Sequence, residues 1–427
     1  MPFNGSGSFS PPGADFPAVP STLIESSKFN NIINDIATGL STAICKDGQT
    51  TITANLPMAG FRHTGVGAAL TTGQYARYDE IVSGALIAAG LARVNRATNG
   101  DFMVVSRGTS FTSATTPANN DDTYLIDQWI LLSDGNDIVD VSRETTTIPT
   151  GGLFACALDV ETANKKFGIL HPIEQRNCIG LIGNTCTLSF KARKGGSNAT
   201  VGTMRAAIIA WDGTADTVTS DVVSAWNASG TNPTLVANWT YENTPADLTL
   251  TTSFQTFSVS AAIDTASTKN IGLFLYYNNA DGTVADFIYI ADVQIEQGTA
   301  ATAFEQVSIP EKIMRCRRYL PAWIAEGTAD MLGTGQNLTT TDSRIVLPLQ
   351  VETRVKVTGI VASSAAHFAV AQADGTQEAV TGIVYAQASR YAMEVTASVA
   401  ANLVAGNANR MRFISASGTL IGTGAEL

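Results

Sequence analysis

Charge is scarce in this 427-residue chain: only 15% of its residues are Asp, Glu, Lys or Arg, while 44% are hydrophobic. Interface cores are depleted in charged residues, so this scarcity predicts that much of each subunit's surface meets another subunit. Acids outnumber bases by 37 to 26 and the net charge is −11, with no basic stripe. That excludes sequence-independent attraction to a nucleic-acid backbone. No apolar run reaches the roughly 18 residues of a membrane-spanning helix, so no membrane insertion is expected. The opening MPFNGSGSFS lacks the basic and apolar regions of a signal peptide, and the chain is expected to be made and folded in a cytosol. Five cysteines (Cys45, Cys156, Cys178, Cys186, Cys316) form an odd set without a CxxC spacing, which argues against a disulfide framework or a zinc site. His63, His171 and His367 give no local support for a Ser–His–Asp arrangement or a two-histidine metal site. They read as surface or interface residues.

What the chain does have is 37 glycines and an excess of Thr, Ala and Ser. Thr suits half-buried strands, and Gly with Asn and Asp supplies tight turns. The expected class is mainly β: a short N-terminal helix and stalk followed by two β-sandwich, jelly-roll-like domains. The length calls for two to four modules. Residues 1–60 hold a Pro/Gly-rich start and a helix over 22–40. There Thr22 and Glu25 match a capping box, and Phe29, Ile33, Ile36 and Leu40 form a short apolar seam. Residues 61–118 read as stalk and linker. Tyr78, Ile81, Val82, Leu86 and Leu91 make a loose helical stripe within 72–99, DFMVVSR opens the strand series, and 108–122 is a polar loop.

Residues 119–308 read as a β-sandwich. In 185–191, Cys186, Leu188 and Phe190 face one way while Thr187, Ser189 and Lys191 face the other; Met204, Ala206 and Ile208 repeat the pattern. Segments 271–277 and 287–295 read as more apolar core strands. Tyr276 and Tyr277 point to opposite faces of one strand, so at most one is expected in the core. IPEKIMRCRRYLPAW, from Ile309, predicts a short helix ending before Pro321. A second β domain follows to residue 427.

Several residue sets invite a chemical reading. Trp211, Trp226, Trp239 and Tyr241 fall in one 31-residue window. Aromatic faces stack on sugar rings, so these four are candidates for receptor glycan binding; packing of Trp211 and Trp239 in the sandwich core is the plainer alternative. Asp134, Asn136 and Asp137 in SDGNDIVD offer oxygen ligands on a tight turn and are weak calcium candidates, although the turn residues explain themselves. Asp292, inside the apolar strand IYIADVQIE, is a strand-edge or hydrogen-bonded carboxylate or a fourth weak calcium candidate. Beyond that possible structural calcium no cofactor is expected. Arg315, Arg317 and Arg318 either grip a neighbouring subunit's carboxylates or remain solvated. Asp134, Asp137 and Asp140 cluster in SDGNDIVD, but such residues are first of all turn formers, sequence does not fix the separation a glycosidase pair needs, and no enzymatic activity is expected.

Three stretches carry a family resemblance. Lys46-Asp47-Gly48-Gln49-Thr50, Asn55-Leu56-Pro57-Met58 and Thr64-Gly65-Val66-Gly67 resemble the virion-attachment end of phage tail fibre proteins. Val293-Gln294-Ile295-Glu296-Gln297-Gly298, Ala301-Thr302-Ala303-Phe304-Glu305 and Cys316-Arg317-Arg318-Tyr319 resemble the close of a β-sandwich domain in the same proteins. The final GTGAEL resembles their terminal strand. The resemblance implies a homotrimer in the virion, assembled in the host cytoplasm. Its N-terminus would be fixed to tail or neck proteins, with Phe29, Ile33, Ile36 and Leu40 as the attachment seam. Its distal β domains would bind a host cell-surface receptor, a glycan above all. A polysaccharide depolymerase carried on such a fibre, or a carbohydrate-binding module of a bacterial surface protein, is the alternative.

Overall fold

A computed structural model describes residue 23 and residues 25–41 and 95–427. The chain divides into two compact units, 1–85 and 86–427. In the first, a helix spans Ser26–Ser41, starting later than the expected residue 22 and ending one residue past the expected 40. Its apolar seam lies in the open: Phe29, Ile33, Ile36 and Leu40 are 55%, 48%, 38% and 67% exposed. Thr22 of the capping box, Cys45, His63, the 46–67 motifs and the 78–91 stripe lie outside the described residues.

The second unit begins with a sandwich of two sheets. One has six strands in the order Ser110–Phe111, Val139–Glu144, Ala155–Val160, Asp286–Gln297, Thr185–Gly196 and Gln255–Ala262. The other has seven: Trp239–Tyr241, Thr203–Trp211, Asn270–Tyr277, Phe167–Ile173, Ile130–Ser133 and Thr123–Tyr124 in order, with Leu248–Thr249 paired to the Thr203–Trp211 strand. Period-two alternation explains the core between them: Cys186, Leu188 and Phe190 from one sheet meet Met204, Ala206 and Ile208 from the other. The expected partners Thr187 and Ser189 are also buried. The segment after the last strand lies over them, and Thr187 Oγ1 donates to the Gly298 carbonyl at 2.8 Å.

The sandwich starts earlier than residue 119. Ala97, Phe102 and Phe111 belong to its core, so 95–118 is not linker. Residues 101–107 form no strand, and 95–99 run without helix beside the last long strand. A β-bulge between Ala291 and Gln294 makes this possible. An extra residue in one strand leaves backbone groups unpaired. Here Val293 N–H donates to the Gly100 carbonyl at 2.8 Å, and Arg96 N–H donates to the Ile295 carbonyl at 3.0 Å. Gly100 has no alternative, because a Cβ there would lie 2.0 Å from the Val293 oxygen.

The VQIEQG, ATAFE and CRRY stretches stitch the sandwich to the next domain. Gln294 and Glu296 are buried. Gln294 Oε1 accepts from Glu305 N–H at 2.8 Å, and Glu296 Oε1 accepts from Thr302 N–H at 2.7 Å. The predicted helix is present at Ile309–Arg317. Its arginines correct the expectation of a solvated or intersubunit cluster, since all three bond within the chain. Arg317 donates to Ser106 Oγ at 2.5 Å, Arg318 forks onto Glu174 at 2.6 and 2.9 Å, and Arg315 pairs with Glu311 at 3.2 Å.

The C-terminal domain is mainly β but closes on itself. Six strands form a barrel in the order Met331–Asn337, Asp342–Pro348, Ala392–Val399, Gln377–Ala388, Phe368–Gln372 and Ala408–Phe413. Ile345, Leu347, Phe368, Val395 and Met411 fill it. Closure removes the free edges that a two-sheet sandwich leaves. Ala322–Ile324, Thr419–Thr423 and Gly359–Ala362 form a separate small sheet. The tail beyond Thr423 turns back onto the sandwich: Arg107 pairs with Glu426, and Tyr124 Oη donates to the Leu427 oxygen at 2.8 Å.

Candidate functional site

The tryptophan window is mostly core, but not the core between the sheets. Trp211 and Trp239 are 6% and 4% exposed and belong to a second apolar layer on the outer face of the seven-stranded sheet. The chain between residues 212 and 245 folds over that face. Trp226 packs edge-on against Phe274 with ring centres 6.1 Å apart, and Tyr241 Oη donates to the Pro233 carbonyl at 2.8 Å. The same cover buries Tyr276, while Tyr277 faces the inter-sheet core. Both tyrosines are therefore core, contrary to the alternation rule, because this sheet is covered on both sides. Trp211 and Trp239 are thus closed to a ligand, whereas Trp226 and Tyr241 stay half-buried.

The calcium candidates do not converge. Asp134 faces Lys165 at 3.4 Å, Asn136 accepts from Asp121 N–H at 3.1 Å, and Asp137 accepts from Asn119 at 3.3 Å. Asp292 sits in the bulge with φ of 52° and turns its carboxylate onto Lys191 at 2.8 Å. Among the described residues no three His, Cys, Asp or Glu side chains are placed to hold a metal ion. His171 is also not a surface residue. It is 2% exposed, and its Nε2 accepts from Thr98 N–H at 3.0 Å while Nδ1 lies 2.9 Å from the Gln128 carbonyl. An Nδ1–H tautomer satisfies both contacts, and burial pushes the imidazole down to about 4.

The outer face of the six-stranded sheet carries the arrangement best suited to a ligand. Ile288 and Ile290 enter the core, so the alternation sends Phe287 and Tyr289 outward. Their rings lie nearly parallel, 8° apart in plane and 5.5 Å between centres. The strand register sets Phe287 opposite Asp159, and Asp159 opposite Asp140. On the other side, Tyr289 faces Arg193, whose guanidinium lies 5.7 Å from the Tyr289 ring centre and 5.9 Å from that of Phe254. Gly195 makes room for the rings, because a Cβ there would come within 2.7 Å of Tyr289. Tyr289 is 8% exposed and Phe287 half-buried, so Phe287 offers the more open ring.

The carboxylates beside it are electrostatically strained. Burial, then Glu161 and Asp137, push Asp140 up to about 6. Burial, then Glu161 and Asp140, do the same to Asp159. Asp140 is partly satisfied by the Asn119 amide at 2.8 Å, whereas Asp159 Oδ1 is buried without a hydrogen-bond partner. The face thus combines an apolar ring, acceptor carboxylates and a cation held between aromatic rings.

Of these residues only Asp140, in the SDGNDIVD cluster, was singled out from the sequence. The alternation within DFIYIA was a usable signal for Phe287 and Tyr289. The register that brings Asp159 and Asp140 beside them was not visible in any one segment.

No family model and no curated protein sequence matches this chain. Among solved structures it is similar to the enzymatically active domain of bacteriophage CBA120 tailspike protein 4, with 14% identity over 48% of this chain and a TM-score of 0.29. That match spans 22% of the tailspike chain's length. A putative sugar binding protein from Bacteroides thetaiotaomicron is 14% identical over 48% of this chain and 100% of its own, with a TM-score of 0.31. The CBM22-1 xylan-binding domain of Paenibacillus barcinonensis Xyn10C is 12% identical over 43% of this chain and 94% of its own, with a TM-score of 0.28.

Proposed function

We propose that this chain is a non-catalytic virion fibre subunit that binds a host-surface glycan through the outward face of its six-stranded sheet. The observation that carries this is the row of Phe287, Asp159 and Asp140 with Arg193 beside it. A sugar ring has an apolar face edged by hydroxyls, and the row offers an aromatic surface edged by acceptors and a donor. In this reading three subunits associate, and avidity across a repetitive surface makes up for weak single sites. The exposed seam of Phe29, Ile33, Ile36 and Leu40 docks on a tail or neck protein of the particle.

The test is a screen of full-length protein on immobilised bacterial surface polysaccharides, with Phe287→Ala and Asp159→Ala alongside. Wild type should be retained on a subset and both variants should lose roughly tenfold or more in affinity, with melting temperatures close to wild type. Retention unchanged in both variants would move the site elsewhere. The attachment half has its own test: protein lacking residues 1–60 should no longer decorate particles.

One observation favours a second reading, a fibre-borne depolymerase. Asp140 and Asp159 are cross-strand neighbours, each pushed up to about 6, and paired carboxyl groups serve glycoside hydrolysis. Release of reducing ends from a bound polysaccharide by wild type, lost in Asp159→Asn, would establish it.

A further inference from the structure

A second feature lies where the sandwich meets the Ile309–Arg317 helix, beside the bulged end of the Asp286–Gln297 strand. A cleft of about 300 Å³ is lined there by Arg96, Arg176, Asn177, Arg315, Arg318 and Tyr319, among others. Four arginines around one cleft stand out in a protein of net charge −11. Two are already engaged: Glu174 holds Arg318, and Glu311 holds Arg315. Glu174 is further fixed by the Tyr319 hydroxyl at 2.8 Å. Burial pushes the Glu174 carboxyl up, but these Arg318 and Tyr319 bonds outweigh it and hold the group below its usual range. Arg96 and Arg176 have no ion pair or side-chain hydrogen bond among the described residues. The cleft therefore has an arginine fixed by Glu174 and two guanidinium forks with unused donors.

We infer that this cleft is an anion subsite that takes the carboxylate or phosphate substituent of an acidic sugar. The identification of the ligand as a sugar rests on the proposed glycan-binding function; the oxyanion chemistry does not. A guanidinium presents paired N–H donors matched to a carboxylate or phosphate, and such charge-assisted bonds are stronger than neutral ones. The volume falls at the small end of the range for small-molecule sites, roughly 300–1,000 Å³. That is room for one charged substituent and its ring rather than a long chain. The cleft is separate from the Phe287 face. Arg96 bonds beside Ile295, eight residues along the strand from Phe287 and roughly 27 Å away at strand rise. The two sites therefore make separable contributions.

The experiment titrates full-length protein calorimetrically with sodium glucuronate, glucose and inorganic phosphate, using wild type, Arg96→Ala/Arg176→Ala and Phe287→Ala. Wild type should bind glucuronate in preference to glucose. The double arginine variant should lose about tenfold or more of that affinity, and Phe287→Ala should retain it. Raising the salt should weaken the binding, because the cleft is open to solvent. Equal affinity of phosphate and glucuronate assigns the subsite to the oxyanion itself; a preference for glucuronate assigns it to an acidic sugar ring. Unchanged glucuronate binding in the double arginine variant overturns the inference, as does no binding of either anion by wild type. Retention on polysaccharides that depends on Phe287 but not on the arginines leaves the glycan-binding reading standing and removes only this subsite. Arg176→Lys, which keeps the charge and loses the fork, guards against misfolding of the double variant: it should fold normally and bind glucuronate less well.

Discussion

Two half-buried carboxylates and one buried histidine link this protein's stability to pH in opposite directions. Asp159 and Asp140 each rise to about 6 in the folded chain, against an unfolded value of about 4. Between those values the native state binds more protons than the unfolded state, so their presence lowers stability as pH rises from about 4 to about 6. Above that range the penalty is constant. Asp159→Asn should therefore stabilise the protein at pH 8 by a few tenths of a kcal/mol to about 1 kcal/mol, discounted for solvent screening, and change little at pH 4. Thermal melts at the two pH values check this, and an equal effect at both would refute it. His171 acts the other way. Its folded value of about 4 lies below the unfolded 6.5, so the unfolded state binds more protons between them and stability falls as pH drops through that window. His171→Leu should flatten that acid slope. It should also cost about 1–3 kcal/mol at pH 8, because Thr98 N–H and the Gln128 carbonyl lose their partner. Denaturant titrations across pH 4–7 measure both effects.

The strands were easier to read from sequence than the surfaces they build. Alternation in 185–191 and 204–208 found two facing core strands correctly, because in each the inward residues are apolar and adjacent turns fix the ends. It misjudged the Tyr276–Tyr277 pair, since period two reports which side a residue faces and not whether that side is covered. The cover comes from residues 212–245, which carry little periodicity of their own. The strand over 287–295 was likewise legible as a strand, while the outward role of Phe287 was hidden behind its apolar composition. Polar loops misled in the other direction. The 95–118 segment is rich in Asn, Thr and Ser, yet Phe102 and Phe111 anchor it in the core, and its backbone is satisfied by a bulge that no local sequence signal announces. Deleting that bulge by removing Asp292 should therefore expose the 95–100 segment. Faster amide exchange at Arg96, Ala97 and Thr98 would be its signature, and unchanged exchange would count against the role given to the bulge.

At the scale of the molecule, the sandwich and the barrel are joined by charge as well as by chain. Arg107 and Glu426 are 10% and 11% exposed at their side chains, so removing either one leaves a buried charge unpaired. Arg107→Ala should cost about 3–5 kcal/mol, whereas Arg107→Met with Glu426→Leu should recover most of it. A double variant no better than the single would show that the pair's value is not electrostatic. Light scattering of the full chain should report a trimer at working concentrations, and a monomer would remove the argument from its low charge content. The glycan-binding face itself is tested most directly by hydrogen exchange with and without a polysaccharide that retains the protein. Slower exchange should appear in Val139–Glu144, Ala155–Val160 and the 286–291 stretch, the strands that carry Asp140, Asp159 and Phe287. Protection confined to the barrel, or to residues 212–245 around the tryptophans, would contradict the account.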